Sequence, residues 1–342
     1  MKHTLSALYT LILGLTLLAI GCDSHHPSSN TREPVLMMHE LGYPQAIFHE
    51  GKYYFTMQGY AGASVELWST PDLADSARFQ HRLLQSSELE AMTHFWSPEI
   101  YYINNRWYMY FEADDGNTDN HHLYVMECQG DDPMTGEFVM KGVIETRAEW
   151  NYGIHPNLLQ MPDGQLYLLW SGWPQRRNET ETQCIYIARM ENPWTVSSER
   201  VMISKPEYEW ERQWINPDGN RSAYPIYVNE NPEAFVSPDG KKIVVLYSAS
   251  GIWTVYTAVG MLTAPADANL LDSTVWTKRA EPVIPADTVN FVSISNVYLV
   301  PSADGEQTLM IYEKKRREHT DILRDTYLRP IHWSDQGEPV FD

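Results

Sequence analysis

Hydrophobic and polar residues alternate along most of the chain in a pattern that predicts short, paired β-strands. The clearest pair lies between Phe95 and Ala113, with the sequence FWSPEIYYINNRWYMYFEA. An apolar strand from Glu99 to Ile103 and an aromatic-rich strand from Trp107 to Phe111 flank the polar dipeptide Asn104-Asn105. Two short strands around a tight polar turn are typical of a β-hairpin.

Four further stretches resemble this hairpin and recur at intervals of roughly 54 to 77 residues. They begin at Tyr43 (YPQAIFHEGKYYFTM), His155 (HPNLLQMPDGQLYLLWSG), Asn231 (NPEAFVSPDGKKIVVLYSAS) and Ser295 (SNVYLVPSADGEQTLMIYEKK). That spacing suits one four-stranded blade of a β-propeller. Asp-Gly turn signals are frequent and no helical period of useful length appears. We therefore predict an all-β fold, a five-bladed β-propeller that occupies residues 34–342 as one domain.

The first 33 residues differ from the rest of the chain. Residues 1–22 combine a short basic start, an apolar run from Leu5 to Ile20 and small residues before Cys22. This pattern predicts a signal peptide and resembles a bacterial lipobox, in which the cysteine thiol is lipidated. An ordinary secretory signal with a chance cysteine is the alternative. Residues 23–33 are polar and predict a flexible tether. The expected location is the bacterial cell envelope, with the protein anchored through Cys22 to the outer membrane on its periplasmic or cell-surface face.

The charge of the chain narrows the possible partners. A formal net charge of −20 excludes nucleic acid, whose phosphates require a basic footprint, and argues against anionic polysaccharides. The one dense basic run, from Lys314 to Arg317, is interpreted as a solvated loop. A neutral oligo- or polysaccharide fits best, bound by a monomer. The 12 Trp and 21 Tyr suit either packing between blades or stacking on sugar rings.

Two further features give local expectations. The longest insertion runs from Lys205 to Tyr227 and holds Trp210, Trp214 and Tyr224. A loop of this length on a rigid scaffold is suited to binding, and it could close one end of a pocket and favour exo action. Cys128 and Cys184 lie in apolar strand-like stretches, which predicts buried free thiols.

The starts of the five hairpins are where the repeats differ most in chemistry. In a propeller the innermost strands begin at the central channel, so these residues should converge on one axis. Pattern alone therefore predicts one pocket with converging polar groups. Its expected members are Tyr43, Trp96, Glu99, His155, Asn229, Glu230 and Glu233.

The chain resembles glycoside hydrolase family 43, and in particular its exo-acting arabinofuranosidase branch. WSPEIYYINNRWYMYFEA is similar to the family's second-blade motif. ENPWTV, KPEYEWE, VNENPEAF with VLYSAS, MLTAPADANLLDSTVWTKRAEPVI and PIHWSDQGEPVF resemble stretches that the branch carries in the same order. The resemblance covers essentially the whole chain after the signal. It implies hydrolysis of a glycosidic bond with inversion, by a Glu acid, an Asp base and a second Asp that tunes the pKa of the acid.

The catalytic positions that the resemblance implies are only partly kept. The acid lies in Asn229-Glu230-Asn231-Pro232, which makes Glu230 the best catalytic candidate. The base position before Pro44 holds Tyr43, a poor proton acceptor for water at neutral pH. The pKa-tuning position holds His155, which would lower the pKa of Glu230 if it were cationic. Glu99 belongs to the motif and shapes the site.

These departures leave the source of the base and the function open. The base could be Glu40, Glu233 or a group of the substrate, or Tyr43 could act as a nucleophile. The histidine that helps hold an axial metal ion or water cluster in the family is replaced by Ser295, so we expect no metal and no cofactor. We favour a glycosidase acting on terminal arabinofuranose, xylose or galactose. The alternatives are a lipid-anchored, catalytically inactive glycan-binding protein and a scaffold without sugar affinity.

Overall fold

A computed structural model describes residues 33–59, 62–148, 150–175, 181–215, 221–254, 256–290, 292–316 and 324–341. Of residues 181, 213–215, 221–226 and 316 it describes only the backbone. The predicted signal peptide with Cys22, and all of the predicted tether except Glu33, lie outside the described residues. No helix in the described part of the chain has the length and apolar character needed to span a membrane.

The described chain consists of β-strands joined by turns and short 3-10 helices, arranged as a five-bladed propeller. The strands are β1 (Val35–Met38); β2 (Gly42–His49), β3 (Lys52–Gln58), β4 (Val65–Thr70) and β5 (Gln80–Leu83) in blade one; β6 (Thr93–Ile103), β7 (Arg106–Asp114), β8 (His122–Cys128) and β9 (Phe138–Val143) in blade two; β10 (Ile154–Gln160), β11 (Leu166–Gly172), β12 (Glu181–Asn192), β13 (Thr195–Val196) and β14 (Val201–Ser204) in blade three; β15 (Arg212–Ile215), β16 (Arg221–Val236), β17 (Lys242–Ala249), β18 (Ala258–Pro265) and β19 (Thr277–Lys278) in blade four; and β20 (Val292–Pro301), β21 (Thr308–Arg316), β22 (Asp325–Trp333) and β23 (Pro339–Val340) in blade five. The 3-10 helices are Ser76–Arg78, Leu89–Ala91, Thr118–Asn120, Glu209–Glu211 and Ser273–Val275.

The predicted hairpins are present as the first two strands of each blade. The turn at Asn104 and Asn105 has φ values of 51° and 61°, the left-handed pair that a two-residue hairpin requires. The first strands contact one another in the order β2, β6, β10, β16, β20 and back to β2, so they form a closed ring around the axis. β1 pairs with β22 and completes the last blade, which joins the two ends of the domain and protects an otherwise free sheet edge.

Large apolar side chains pack between neighbouring blades. Trp107, Phe111 and Met109 of blade two pack with Tyr54 and Leu67 of blade one. Cys128 and Cys184 are buried and free, as predicted. Part of the large number of Trp and Tyr residues is therefore used for packing between blades.

Two sequence interpretations were wrong. The segment from Lys205 to Tyr227 is not a continuous loop, because β15 pairs with the extended start of β16 and β12 runs parallel to it. The basic run is not a solvated loop either, since Lys314 and Lys315 continue β21 and Lys315 is buried. Arg317 lies outside the described residues. In both cases neighbouring strands supply backbone hydrogen bonds that the polar sequence did not reveal.

Each first strand carries the same irregularity near the axis. The register with the second strand shifts between Gly42 and Gln45 in blade one and at the equivalent place in the others, and blade two has a second shift between Thr93 and Trp96. One residue in each equivalent shift has a positive φ, and we call these the bulge residues. They are Tyr43 (53°), Ser97 (40°), His155 (54°), Asn231 (53°) and Asn296 (48°). A β-bulge re-aims the local side chains, so the bulges place one residue per blade at the axis.

Candidate active site

The bulges are held by side chains from the second strand of the preceding blade. The backbone N–H of Asn231 donates to Ser171 Oγ at 2.9 Å, and that of Asn296 donates to Ser248 Oγ at 3.0 Å. The N–H of Tyr43 likewise donates to the Glu313 carboxylate. We call these second-strand side chains the support residues; Glu112 occupies the same place next to His155.

Tyr43 and His155 stack against each other, with ring centroids 5.6 Å apart. The Asn231 N–H, which donates to Ser171 Oγ, also lies 3.1 Å from His155 Nδ1, a contact that favours an unprotonated Nδ1. Burial lowers the pKa of His155 to about 3, with His121 and Arg324 contributing. His155 is thus neutral. It therefore does not lower the pKa of Glu230 as a cationic imidazole would.

Glu230 is buried, and its Oε1 accepts a hydrogen bond of 2.9 Å from the Ile252 N–H. Burial raises its pKa to about 7, against the opposing effects of the Ile252 hydrogen bond and the Arg324 guanidinium. A carboxyl group with a pKa near neutrality can hold a proton and release it at physiological pH. Of the predicted site residues, Glu230 has the environment best suited to a general acid.

Glu313 and Arg324 are the site residues that sequence reasoning missed. Glu313 is fully buried; its Oε2 accepts from Ser295 Oγ at 3.1 Å and lies 3.4 Å from Arg324 Nε. Arg324 also donates to the Ile252 carbonyl at 2.9 Å, and its guanidinium lies 6.0 Å from the Tyr43 ring centre. The available signal was in the repeats: blades three and four have Ser in WSG and YSAS where blades two and five have Glu in FEA and YEK.

Tyr43 is poorly suited to accept a proton. Burial raises the pKa of its hydroxyl well above the usual value, and nearby Glu313, Glu230 and Glu112 add to the effect against Arg324. The ionised phenolate that a base or nucleophile needs is therefore disfavoured.

Glu112 is a third buried carboxyl group near the axis. Its Oε1 lies 4.0 Å from His155 Nε2, and the backbone N–H of His155 and the Ser97 hydroxyl are its nearby donors. Burial raises the pKa of Glu112 well above its usual range, and Glu99 adds to the effect. Burial therefore favours the neutral form of Glu112 over its carboxylate.

Glu99 and Glu233 lie deeper along the axis, in what we call the inner ring, formed by Gln45, Glu99, Asn157, Glu233 and Tyr298. Asn157 Nδ2 donates to Glu99 Oε2 at 3.3 Å and to Glu233 Oε2 at 2.6 Å. The Tyr101 hydroxyl also donates to Glu99. Burial raises the pKa of Glu99 to about 8 and that of Glu233 well above its usual range. Two neutral, mutually satisfied carboxyl groups are suited to holding the blades together.

The inner ring does not fit a bound cation. A cation such as Ca²⁺ requires oxygen ligands, often ionised carboxylates. The Ala234 N–H donates to Asn157 Oδ1 at 3.0 Å, which fixes the amide with its NH₂ group towards the carboxyls. The described residues contain no cluster of three or more His, Cys, Asp or Glu arranged to hold a metal. We derive no step through a metal.

The remaining predicted residues have different surroundings. Asn229 is buried away from the axis, where its Nδ2 donates to Ser204 Oγ at 2.9 Å and to Glu211 Oε1 at 3.0 Å. Trp96 is partly exposed and stacks on His121 with centroids 4.1 Å apart. Trp96 therefore packs beside the site and is only partly exposed, whereas Asn229 holds the strand that carries Glu230.

A five-bladed propeller with buried carboxyl groups around its axis is an architecture that suits a glycoside hydrolase. The chain belongs to glycosyl hydrolases family 43, whose model matches residues 32–339. An extracellular exo-α-(1→5)-L-arabinofuranosidase of Streptomyces avermitilis is 29% identical, over 100% of this chain and 70% of its own length. α-L-Arabinofuranosidase 43 of Humicola insolens is 31% identical over 72% of this chain and 49% of its own.

The similarity extends to solved structures. The crystal structure of an α-L-arabinofuranosidase from Lactobacillus brevis superposes with a TM-score of 0.77 at 27% identity, over 90% of this chain and 96% of the other. A thermostable family-43 glycoside hydrolase superposes with a TM-score of 0.69 at 19% identity, over 91% and 95% of the two chains. The second match speaks to the fold alone.

Proposed function

We propose that the protein hydrolyses a terminal glycosidic bond in a neutral glycan, with Glu230 as the general acid. The observation that carries the proposal is the burial of Glu230 at the axis with a pKa of about 7, which keeps a proton available for the leaving oxygen. The sugar at the cleaved end is arabinofuranose, xylose or galactose. Arabinofuranose is favoured because the relatives from Streptomyces and Humicola are named arabinofuranosidases.

The candidate bases differ in their surroundings. Glu233 is engaged with Asn157 in the inner ring and holds a proton, so it is a poor acceptor. Glu40 is exposed at the edge of blade five, where its backbone N–H donates to Asp325 Oδ1 at 3.3 Å. Both are weaker candidates than a carboxylate among the support residues beside the bulges. We call the bulges, the support residues and the neighbouring Glu230 the bulge layer.

The test is release of sugar from arabinan, arabinoxylan, arabinogalactan and galactan at high protein concentration, followed by chromatography. Glu230→Gln should lower the rate about 10²–10⁴-fold because it removes the proton donor, while sugar binding persists. Glu306→Gln, an exposed change in the β20–β21 turn, is the matched control. Undiminished turnover in Glu230→Gln would reject Glu230 as the acid.

A glycan-binding protein without catalysis is the second candidate. The stacked Tyr43 and His155 rings favour it, because the positions where the family resemblance implies two Asp carboxylates hold uncharged rings instead. Saturable binding of one glycan by calorimetry, with no sugar released by the wild type, would establish this function in place of the first.

We further propose that Cys22 carries a lipid anchor and that the propeller acts at the outer membrane. The support is the sequence of residues 1–22 alone. Mass spectrometry of the mature N-terminus in a bacterial host should show an acylated Cys22, and Cys22→Ala should release the protein from the membrane fraction. A mature protein that begins at another residue, with an unmodified N-terminus, would contradict the proposal.

A further inference from the structure

Two of the four support residues, Glu112 and Glu313, carry a carboxyl group where Ser171 and Ser248 carry a hydroxyl. Blades three and four use the short hydroxyls of Ser171 and Ser248 to hold the next bulge. Blade five uses the carboxylate of Glu313 to hold Tyr43. A serine is sufficient for this structural task, so the carboxylate adds a charge that the fold alone does not need.

The chain makes room for this carboxylate. A Cβ atom on Gly42 would collide with the Glu313 carboxyl group, and Gly42 directly precedes Tyr43. Glu313 also has a cationic partner in Arg324, at 3.4 Å from Nε. A buried carboxylate is stable in its ionised form only when such a partner and hydrogen-bond donors compensate its burial.

A chain of contacts links Glu313 to Glu230. Arg324 lies against Glu313 Oε2 and donates to the Ile252 carbonyl, and the Ile252 N–H donates to Glu230. A guanidinium and a peptide unit thus stand between an ion-paired carboxylate and a carboxyl group that keeps its proton near neutral pH. Inverting glycosidases separate their two carboxyl groups by about 6.5–9.5 Å so that a water molecule fits between them and the sugar.

We propose that Glu313 is the general base of this site, supplied by blade five at the bulge of Tyr43; the inference rests on the proposed glycosidase function. Glu313 accepts a proton from water as the water oxygen bonds to the anomeric carbon. The bond between that carbon and the leaving oxygen breaks, and the leaving oxygen takes the proton of Glu230. Glu313 ends neutral and Glu230 ionised, and proton exchange with solvent restores both.

Glu313 has the capacity for this role. A carboxylate offers about four lone-pair positions, and the Tyr43 N–H, Ser295 Oγ and Arg324 Nε face three of them. With these neighbours among the described residues, the carboxylate has capacity for a further hydrogen bond, which the proposal assigns to water. The other carboxyl groups are less suited as proton acceptors, since burial raises the pKa values of Glu112, Glu99 and Glu233.

The test uses Glu313→Ser, which copies the support residue of blades three and four and so keeps an acceptor for the Tyr43 N–H. Wild type, Glu313→Ser, Glu313→Gln and Glu230→Gln are assayed on the 4-nitrophenyl arabinofuranoside, xyloside or galactoside that the wild type cleaves fastest. Thermal unfolding checks that each variant is folded. Glu313→Ser should lose about 10²–10⁴-fold in kcat/KM, and sodium azide, which attacks without a base, should restore turnover and give a glycosyl azide of inverted configuration.

The outcomes separate the two proposals. Glu230→Gln should keep more activity on this activated leaving group than on glycans, whereas Glu313→Ser should lose activity on both. A folded Glu313→Ser or Glu313→Gln that keeps its activity, or loses it without rescue by azide, overturns the base assignment. Azide rescue of Glu112→Ser to the same extent would also overturn it. Absence of cleavage by the wild type rejects the glycosidase function itself.

Discussion

Two layers of carboxyl groups lie along the propeller axis, and they differ in the charge that surrounds them. In the inner ring, Asn157 donates to both Glu99 and Glu233 and Tyr101 donates to Glu99, and burial raises the pKa of both carboxyl groups. In the bulge layer, Glu230 and Glu313 lie near the Arg324 guanidinium. The hydrogen bonds of the first layer stay within the inner ring. The second layer places a carboxyl group beside a guanidinium, and near it lies Glu230, whose pKa is raised to about 7.

The difference shows that burial of a carboxyl group does not identify a catalytic residue. Both layers are buried and both contain raised pKa values, and such values arise in structural networks as well as in active sites. The distinguishing feature is the fixed cation, which lets one carboxylate accept a proton while its neighbour donates one.

The largest expected effect is on the pH dependence of stability. Because the pKa of Glu99 is raised from 4.5 to about 8, the folded protein holds a proton that the unfolded chain has released. The free energy of unfolding should therefore fall by about 1.4 kcal/mol per pH unit for this group as the pH rises from about 5 to 8. In Glu99→Gln this component should vanish.

Urea unfolding of wild type and Glu99→Gln at pH 5, 6, 7 and 8 measures that difference, with Glu306→Gln as the exposed control. Parallel pH profiles for wild type and Glu99→Gln would show that the inner ring is not held by protonated carboxyl groups.

A smaller effect is expected from Tyr43→Phe. The hydroxyl is kept neutral by burial, so its loss removes at most one hydrogen bond to the sugar, a change of about tenfold or less. The change should appear in KM more than in kcat, measured by initial rates on the best aryl glycoside. A fall in kcat as large as that of Glu230→Gln would instead make Tyr43 a nucleophile or base.

The sequence was sufficient to predict the propeller because hairpin pairing is local and repeated. The alternation around Asn104-Asn105 and the four related stretches predicted the first two strands of every blade. The closure of blade five by β1 and the pairing of β15 with β16 depend on contacts between residues that the local pattern does not connect. Local sequence patterns therefore do not predict them.

The site was predictable only in its first-strand members. Tyr43, His155 and Glu230 were predicted because they precede or occupy the bulge, which four of the five repeats mark with proline. Glu313 lies on a second strand, and Arg324 lies near the start of β22; what joins them to the site is packing between blades five and one. Glu99, Glu230 and Glu233 all lie within two residues of a bulge proline. Glu99 and Glu233 nevertheless belong to the inner ring, because successive side chains along a strand point in different directions.

The most direct test of the account is the pH dependence of kcat/KM on the preferred glycan, measured for wild type and Glu99→Gln. With Glu230 as the acid, activity should decline above about pH 7, tenfold per pH unit, because the proton donor is then ionised. The decline should lie at the same pH in Glu99→Gln, since the inner ring takes no part in proton transfer. A decline that moves with the Glu99 substitution, or activity that persists undiminished to pH 9, would contradict the division of the axis into a catalytic and a structural layer.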